Sequence, residues 1–170
     1  MTDQEFMERM EQFHNMVYRL ALTYLKNIQD AEDITQEVFI KLYQRSNTLA
    51  SLSEEKAWLI RVTINASKDL LKSAWFKRTV PMDEDLPFHD KEKSELFYAV
   101  LSLAKNDRIV IHLYYYEDYS VKEIAQLLHI KETTVQTRLY RARRKLEKLL
   151  SPESRSSKVK LKERVYETGL

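Results

Sequence analysis

Hydrophobic residues recur at helical spacing in three stretches of the N-terminal half of the chain. Apolar positions at i, i+3, i+4 and i+7 are typical of the buried face of an amphipathic helix. The first stretch covers residues 5–25. The second follows a connection at 26–29 and opens with acidic side chains, which suit the positive end of a helix dipole. The third extends from about Ala57 to Ser73, after a serine-rich loop at 46–56. The predicted apolar stripes consist of Phe6, Met10, Phe13, Val17, Leu20 and Tyr24, then Ile34, Val38 and Leu42, then Trp58, Leu59, Val62, Ala66 and Leu70.

The polar faces of the second and third predicted helices differ in charge. One is largely acidic, and the other is basic apart from a single amide. Charge runs of this kind are usually solvated helix faces, and for the acidic face taken by itself that is the better interpretation. A solvated face is expected to mix signs, which the third helix does not do. The acidic face comprises Asp33, Gln36, Glu37 and Lys41, and the basic face comprises Arg61, Asn65, Lys68 and Lys72.

The C-terminal half contains two short predicted helices joined by a tight turn, within Tyr119–Lys145. Ser120 and Glu123 form an S-x-x-E capping box, which predicts a helix start at Val121. A basic helix by itself usually presents a solvated cationic surface. Here the cap, the turn length, the apolar spacing and the charge agree, and together they predict a DNA-binding helix-turn-helix. The second helix has an apolar stripe of Val135, Leu139, Ala142 and Leu146, and an outward side of Gln136, Thr137, Arg138, Tyr140, Arg141, Arg144 and Lys145.

Composition narrows the fold and excludes several kinds of site. The single glycine is Gly169, so that a glycine-rich phosphate loop and glycine-turn hairpins are excluded, and an all-α fold is predicted. The chain has no cysteine, and its four histidines do not pair at metal-ligand spacing, so we predict no metal site and no cofactor. No apolar run is long enough to span a bilayer and the start of the chain lacks a signal segment, which predicts a cytoplasmic protein.

Charge is distributed unevenly along the chain. Residues 1–130 carry 16 Lys and Arg against 21 Asp and Glu, a balance of −5, whereas residues 131–170 carry 12 against 5, a balance of +7. A polyanion is therefore expected to bind the C-terminal part, and a basic partner could bind the N-terminal part.

The pattern divides the chain into two small helical domains. We predict a first domain over residues 1–76 and a second over 96–150, which ends with the helix-turn-helix. Residues 77–95 contain two of the three prolines and many acids, which is typical of a flexible linker. Residues 151–170 are predicted to form a flexible tail with a short helix at 158–165.

Two blocks of motifs resemble a known family. In the first block, Asp30–Tyr43 reads DAEDITQEVFIKLY and Trp58–Lys72 reads WLIRVTINASKDLLK. In the second, Asp107–Leu146 reads DRIVIHLYYYEDYSVKEIAQLLHIKETTVQTRLYRARRKL. In this order and at this separation, they resemble the second and fourth conserved regions of bacterial sigma factors of the extracytoplasmic-function (ECF) group, in the sigma-70 family. The family's intervening third region is absent from the ECF group, and here a short linker stands in its place.

The chain departs from the family pattern at four positions. Ala104 stands where proline is usual, Lys72 where arginine is common, His129 where the turn usually has glycine, and Lys131 where serine is usual. Because a lysine side chain cannot accept a hydrogen bond at a helix N-cap, we expect the recognition helix to begin at Thr133 or to be frayed.

The resemblance implies a dissociable subunit that directs RNA polymerase to specific promoters and catalyses nothing itself. It implies that the acidic face of Asp33, Gln36, Glu37 and Lys41 binds core polymerase at helices of the largest subunit's clamp. It also implies a contact between the chain and the polymerase flap. It implies a −10 surface made of the basic face and a base-capturing loop at about Leu49 to Ser53; this surface comprises Leu49, Arg61, Asn65, Lys68 and Lys72. It implies a −35 surface that comprises Thr134, Gln136, Thr137, Arg138, Tyr140, Arg141, Arg144 and Lys145.

Further partners follow from the same resemblance. They are promoter DNA and an anti-sigma factor, which in this family is often a membrane protein; no small-molecule substrate is expected. Three other classes stay open on the residues alone: a regulator that binds duplex DNA without polymerase, a helical protein that binds acidic partners, and a DNA-processing enzyme. The two motif blocks argue against the first, and the lack of a metal-binding carboxylate cluster argues against the last.

Overall fold

The computed structural model describes residues 1–45, 49–73 and 91–152, with the backbone alone for 91–94. All the regular secondary structure in this part of the chain is α-helix, which confirms the all-α prediction. None of these helices is sufficiently long and apolar to cross a membrane. The predicted linker up to residue 90, residues 46–48 of the predicted loop and the tail from 153 lie outside the described residues. The helices are α1 (Asp3–Leu25), α2 (Ile28–Gln44), α3 (Leu52–Lys72), α4 (Lys91–Leu101), α5 (Lys105–Tyr115), α6 (Val121–Leu128) and α7 (Glu132–Leu150).

The N-terminal unit consists of α1, α2 and α3, packed against one another. α1 begins two residues earlier than predicted because Thr2 and Glu5 form a capping box. α2 begins at Ile28, within the predicted connection, because the side chain of Asn27 accepts a hydrogen bond from the Asp30 amide at 2.9 Å. The turn between α1 and α2 therefore consists of Lys26 and Asn27, with Lys26 in the left-handed region at φ 57°.

The third helix also starts earlier than predicted. α3 begins at Leu52, so the predicted loop at 46–56 is wrong over its second half. The cap is Ser51, whose hydroxyl accepts from the Glu54 amide at 3.2 Å. Ser51 and Glu54 form an S-x-x-E pattern that the sequence already contained. Its significance is hidden by the polar composition of the first two turns, which resembles that of a loop.

The buried face of α3 is rotated from its predicted position. Leu59 and Ala66 are buried as predicted, and Trp58, Val62 and Leu70 are partly buried against the core. The fully buried positions also include two polar residues, Thr63 and Ser67, together with Ile60 and Ile64. The Thr63 hydroxyl is satisfied by donating to the Leu59 carbonyl at 2.7 Å.

The C-terminal unit consists of α4 to α7. α4 begins at Lys91, five residues before the predicted start near Leu96. α6 begins at Val121 as predicted, with the capping box of Ser120 and Glu123 formed in both directions. α7 packs against α4, α5 and α6 through the predicted stripe, of which Val135, Leu139 and Ala142 are buried.

The two units pack directly against each other, α1 against α5 and α3 against α6. Arg108 of α5 is only 4% exposed and reaches the C-terminal end of α1, where it donates to the carbonyls of Thr23 and Tyr24. The same guanidinium donates to the carbonyls of Leu101 and Leu103 at the end of α4. Carbonyls at helix ends lack intrahelical donors, so that one cation satisfies orphan acceptors of two helices.

Candidate nucleic-acid interface

The turn before the recognition helix has the backbone geometry of a helix-turn-helix. It lacks the glycine and the serine that are usual in the family where His129 and Lys131 stand. His129 ends α6 in the left-handed region at φ 54°, and the Ile130 amide donates back to the Ala125 carbonyl at 3.0 Å. α7 begins at Glu132, so the expected start at Thr133 is wrong. Lys131 occupies the N-cap with extended backbone and makes no side-chain cap bond, as its chemistry predicted.

Lys131→Ser should stabilise the protein by about 1 kcal/mol, because a serine hydroxyl can accept from the first-turn amides of α7. Lys131→Ala is the matched control, since it removes the same positive charge from the helix N-terminus without adding an acceptor. The measurement is the free energy of unfolding in urea for both variants. A serine variant no more stable than the alanine variant would show that the N-cap site cannot be satisfied by a side chain.

The residues predicted to contact DNA on α7 fall on two different sides of the helix. Thr137, Tyr140 and Arg144 lie opposite the buried stripe and are exposed, and Gln136 is exposed at one edge of this outward face. Tyr140 is 59% exposed, and Arg144 donates to its hydroxyl at 2.9 Å while lying over the ring. This pairing holds an aromatic ring and a guanidinium side by side on the surface.

The opposite edge of α7 makes polar contacts with the rest of the protein, although Arg141 and Lys145 on this edge are exposed. Arg141 is paired with Asp107 of α5 at 2.8 Å, and Lys145 donates to the Ser102 carbonyl at 3.1 Å. Arg138 is half-buried and lines a cavity of about 160 Å³ between the two units, with Lys68 of α3 on the opposite wall. Thr134 is half-buried on the same edge. The structure therefore brings together only part of the predicted −35 set on the outward face.

One outward residue of α7 was not predicted. Thr133 is exposed one turn before Thr137, and its carbonyl accepts from the Thr137 hydroxyl at 2.9 Å. Its position follows from helical spacing once the helix is known to start at Glu132. The start was predicted too late because Lys131 cannot cap a helix through its side chain.

The predicted −10 side chains of α3 share one exposed face. Arg61, Asn65, Lys68 and Lys72 are all exposed, at helical spacing along the length of α3. Leu49 precedes the α3 cap and is half-buried. Of the predicted base-capturing loop, residues 52 and 53 form the first turn of α3, so this part of the prediction is wrong.

The acidic face of α2 is exposed over Asp33, Gln36, Glu37 and Lys41. Glu37 pairs with Lys41 at 2.5 Å, and Asp33 accepts from the Gln29 amide at 3.2 Å. The same face contains an apolar residue that sequence reasoning missed, since Ile40 is 54% exposed one turn after Gln36. The sequence already indicated that Ile40 is exposed, because it falls outside the apolar stripe of Ile34, Val38 and Leu42.

No group of three or more His, Asp or Glu side chains that could hold a metal ion is found within the described ranges.

Known protein families match the two helical units of this chain in the same order. The family model of sigma-70 region 2 matches residues 10–77, and that of sigma-70 region 4 matches residues 94–146. The RNA polymerase sigma factor SigV of Bacillus subtilis is 34% identical over 131 residues, which cover 74% of this chain and 78% of SigV. The ECF RNA polymerase sigma factor SigM of the same organism is 30% identical over 151 residues, which cover 82% of this chain and 91% of SigM.

Solved structures show the same fold. The sigma factor RpoE from Bartonella quintana, in its complex with the anti-sigma factor NepR, superposes with a TM-score of 0.71 at 19% identity, over 86% of this chain and 97% of RpoE. CnrH, in complex with the cytosolic domain of CnrY, has a TM-score of 0.61 at 21% identity, over 88% of this chain and 89% of CnrH. Both family regions are present in order, and relatives match along most of their length. The chain therefore belongs to the ECF group of the sigma-70 family, whose members direct RNA polymerase to specific promoters.

Proposed function

We propose that this sigma factor performs its function through three exposed surfaces on α2, α3 and α7. The observation that supports the assignment is the segregation of charge: an acidic face on α2 and basic faces on α3 and α7, each at helical spacing. In this assignment residues 1–76 form the domain for polymerase and the −10 element, 77–95 the linker, and 96–150 the domain for the −35 element. The protein is an initiation factor and has no catalytic role of its own.

The acidic face of α2 is the surface for core polymerase. Carboxylates at helical spacing can pair bidentately with arginines of a basic helical partner. Ile40 adds an apolar contact in the centre of this face, where burial by the partner would remove it from water. Asp33, Gln36 and Glu37 surround it, as expected of a polar rim around an apolar anchor.

The basic face of α3 is the surface for the opened −10 element. Unpaired bases can be held beside the helix, with the Asn65 amide reading a polar base edge and Lys68 and Lys72 holding phosphates. Leu49 lies just before the cap of α3 and is half-buried, and in this assignment it packs beside the unpaired bases. Trp58 is partly buried in the core and stacks with the Arg45 guanidinium at 4.8 Å, so it is not a platform for bases.

The outward face of α7 is the surface for the −35 element in the major groove. Gln136 and Thr137 read base edges, and Tyr140 with Arg144 holds the flanking backbone. A glutamine can pair bidentately with adenine, which favours an adenine in the −35 element. Arg138, Arg141 and Lys145 contact phosphate along the other edge of the helix. For Arg141 and Lys145, this requires release from Asp107 and from the Ser102 carbonyl.

The function is tested by run-off transcription with purified core polymerase on genomic promoter templates. We expect initiation at a specific promoter only when this protein is added. A protein that bound duplex DNA but supported no initiation on any template would instead be a polymerase-independent regulator.

Arg144→Ala and Gln136→Ala should have different effects on promoter binding. Loss of the Arg144 phosphate contact should weaken holoenzyme binding to all promoters similarly and reduce the slope of log K against log salt by about 1. Loss of the Gln136 base contact should leave the salt slope unchanged and cost about 1–3 kcal/mol at the preferred promoter alone. The measurement is binding of the reconstituted holoenzyme to promoter duplexes at several salt concentrations. Equal effects on preferred and altered promoters for Gln136→Ala would remove it from the base-reading set.

The remaining partners follow from the family. We propose that an anti-sigma factor, which in this family is often membrane-bound, regulates the chain, as the complexes of RpoE with NepR and of CnrH with CnrY suggest for those proteins. The polymerase flap is the proposed contact of the C-terminal unit. Because the chain works with RNA polymerase, its site of action is the cytoplasm.

A further inference from the structure

Arg143 of α7 is held in place by two tyrosines of α5. Its Nε donates to the Tyr115 hydroxyl at 2.7 Å. The centre of its guanidinium lies 5.4 Å from the centroid of the Tyr114 ring and 5.6 Å from that of the Tyr115 ring. An arginine on a protein surface ordinarily samples many rotamers, whereas two ring contacts and a hydrogen bond restrict this one.

The cluster of Tyr114, Tyr115 and Arg143 lies on the surface of the C-terminal unit. Arg143 is exposed and Tyr115 is 53% exposed, while Tyr114 is partly buried against the core. The two rings meet edge to face, with their centroids 4.9 Å apart. Contacts between an exposed cation and a ring stabilise a fold only weakly. The cluster therefore orders a surface arginine more than it stabilises the protein.

The cluster keeps donors and charge that are available to a ligand. The Tyr115 hydroxyl engages the Nε–H of Arg143, and the remaining N–H groups of the guanidinium point to no other hydrogen-bond acceptor among the described residues. Because that hydroxyl accepts a hydrogen bond, its own hydrogen can be donated to another group. Among the described residues no carboxylate pairs with Arg143, whereas Arg141 on the same helix is paired with Asp107. These properties suit an oxyanion such as a phosphate group.

The cluster lies on the edge of α7 that carries Gln136. Arg143 comes seven residues after Gln136, so the two side chains leave the helix within about 20° of each other around its axis. The packing of α5 against α7 brings Tyr115 to the same edge. The basic residues of the opposite edge are Arg138, Arg141 and Lys145.

The width of the major groove gives both edges of α7 a role. An α-helix with its side chains is about 10–12 Å across, and the major groove of B-DNA is about 12 Å wide. A recognition helix therefore fills the groove, and its two edges lie along the two sugar-phosphate backbones. In the proposed −35 complex, Arg138, Arg141 and Lys145 face one backbone. The cluster on the Gln136 edge faces the other.

We propose that Tyr115 and Arg143 form a second phosphate-binding subsite, which holds the DNA backbone on the Gln136 side of the −35 element. The Arg143 guanidinium pairs with one phosphate, and the Tyr115 hydroxyl donates to the same group. Phosphates carry no sequence information, so the subsite sets the register in which Gln136 meets its base pair and does not choose the base. The proposal rests on the promoter-reading function and adds a contact from α5, outside the helix-turn-helix.

The first test is the binding of reconstituted holoenzyme to promoter duplexes at several salt concentrations. Arg143→Gln should weaken binding to all promoters about tenfold and reduce the slope of log K against log salt by about 1. Tyr115→Phe keeps the ring and the charge of Arg143. It should weaken binding to all promoters about two- to fivefold and leave the salt slope unchanged, because only a hydrogen bond is lost.

Lys105→Gln is the matched control for the loss of charge. Lys105 is also exposed and also lies over a tyrosine ring, 5.5 Å from the centroid of Tyr24, but at the opposite end of α5. Its replacement should change the affinity for promoters by less than about twofold, through long-range charge alone. Equal effects of Lys105→Gln and Arg143→Gln would overturn the subsite, because net charge would then explain both.

The second test locates the contact on the DNA. A single neutral methylphosphonate is moved through the phosphates of the −35 element. At one position on the Gln136 side, the wild-type protein should lose about tenfold in affinity and Arg143→Gln almost nothing further, since the two changes remove the same contact. An arginine with a purely structural role would not single out one phosphate. Equal losses for the two proteins at every position would contradict the proposal.

Failure of the subsite and failure of the promoter-reading function give different results. If Gln136→Ala loses preference for the preferred promoter while Arg143→Gln keeps the wild-type affinity and salt slope, the subsite is wrong and the function stands. If the wild-type holoenzyme shows no promoter preference, the function itself is wrong.

Unfolding in urea checks that Arg143→Gln retains the wild-type stability, as expected for an exposed position. Should it be destabilised, Arg143→Lys replaces it, because lysine keeps the charge and lacks only the planar fork of donors. Arg143→Lys should keep the wild-type salt slope and lose part of the affinity for all promoters. A lysine variant that bound as weakly as Arg143→Gln, with the same reduced slope, would overturn the subsite.

Discussion

Replacing Arg108 by methionine should lower the free energy of unfolding by about 3 kcal/mol, because buried carbonyls at two helix ends lose their donor. The affected carbonyls are those of Thr23 and Tyr24 on α1 and of Leu101 and Leu103 at the end of α4. Removing the cation also removes its desolvation cost, which keeps the loss below the sum of separate hydrogen bonds. Urea unfolding followed by far-ultraviolet circular dichroism measures the change.

Arg143→Met is the matched control, because Arg143 is exposed, donates to the Tyr115 hydroxyl at 2.7 Å and otherwise lies over the Tyr114 and Tyr115 rings, without capping a helix end. It should change the stability by less than about 0.5 kcal/mol. Arg108→Lys should fall between the two, since an ammonium keeps the charge but lacks the planar fork of donors. A loss below about 1 kcal/mol for Arg108→Met would mean that water satisfies these carbonyls and that the site is not a buried cap.

Reversing the charge of the α2 face should weaken binding to core polymerase by about a hundredfold, since like charges at an interface cost several kcal/mol. The variant is Asp33→Lys with Glu37→Lys, and both positions are exposed, so the fold is expected to remain intact. Glu37 also loses its pair with Lys41, but exposed pairs of this spacing contribute only about 0.5 kcal/mol. Equilibrium binding of labelled protein to core polymerase measures the effect.

Glu8→Lys with Glu11→Lys makes the same change in net charge on the exposed side of α1. It should reduce the affinity for core polymerase by less than about threefold, through long-range charge alone. If both double variants bound equally well, the α2 face would not be the polymerase surface. Ile40→Ala then measures the apolar contribution to polymerase binding separately from the charged one. Ile40 is exposed in the free chain, so its truncation opens no cavity.

Local signals in the sequence predicted the helices and most of their exposed faces. The capping box at Ser120, the stripe through Val135 and Leu139, and the face of Asp33 and Glu37 all depend on residues three or four apart. Such neighbours interact within a single helix, so their spacing is meaningful before any tertiary contact forms.

The local errors also have local causes. The start of α3 was missed because its cap at Ser51 lies in a serine-rich stretch, where one capping serine is not distinguished from its neighbours by type. The start of α7 was predicted too late because Lys131 cannot cap, yet the helix begins at Glu132 without a cap bond. Packing of Val135, Leu139 and Ala142 against the other helices outweighs the missing cap, since most helix stability in proteins comes from a buried apolar face.

The sequence by itself determined an all-α chain of two family regions, with the sign of charge on each exposed face. Only the tertiary structure decided that Arg108 and His112 bury themselves against Thr23, more than 80 residues away, and that Arg138 and Lys68 line one cavity. The physical reason is that a cation and a carbonyl can pair at any separation along the chain. The spacing of residues around either partner therefore does not indicate which two will pair. The pairing is determined by which helix faces are still unburied when the two helical units meet.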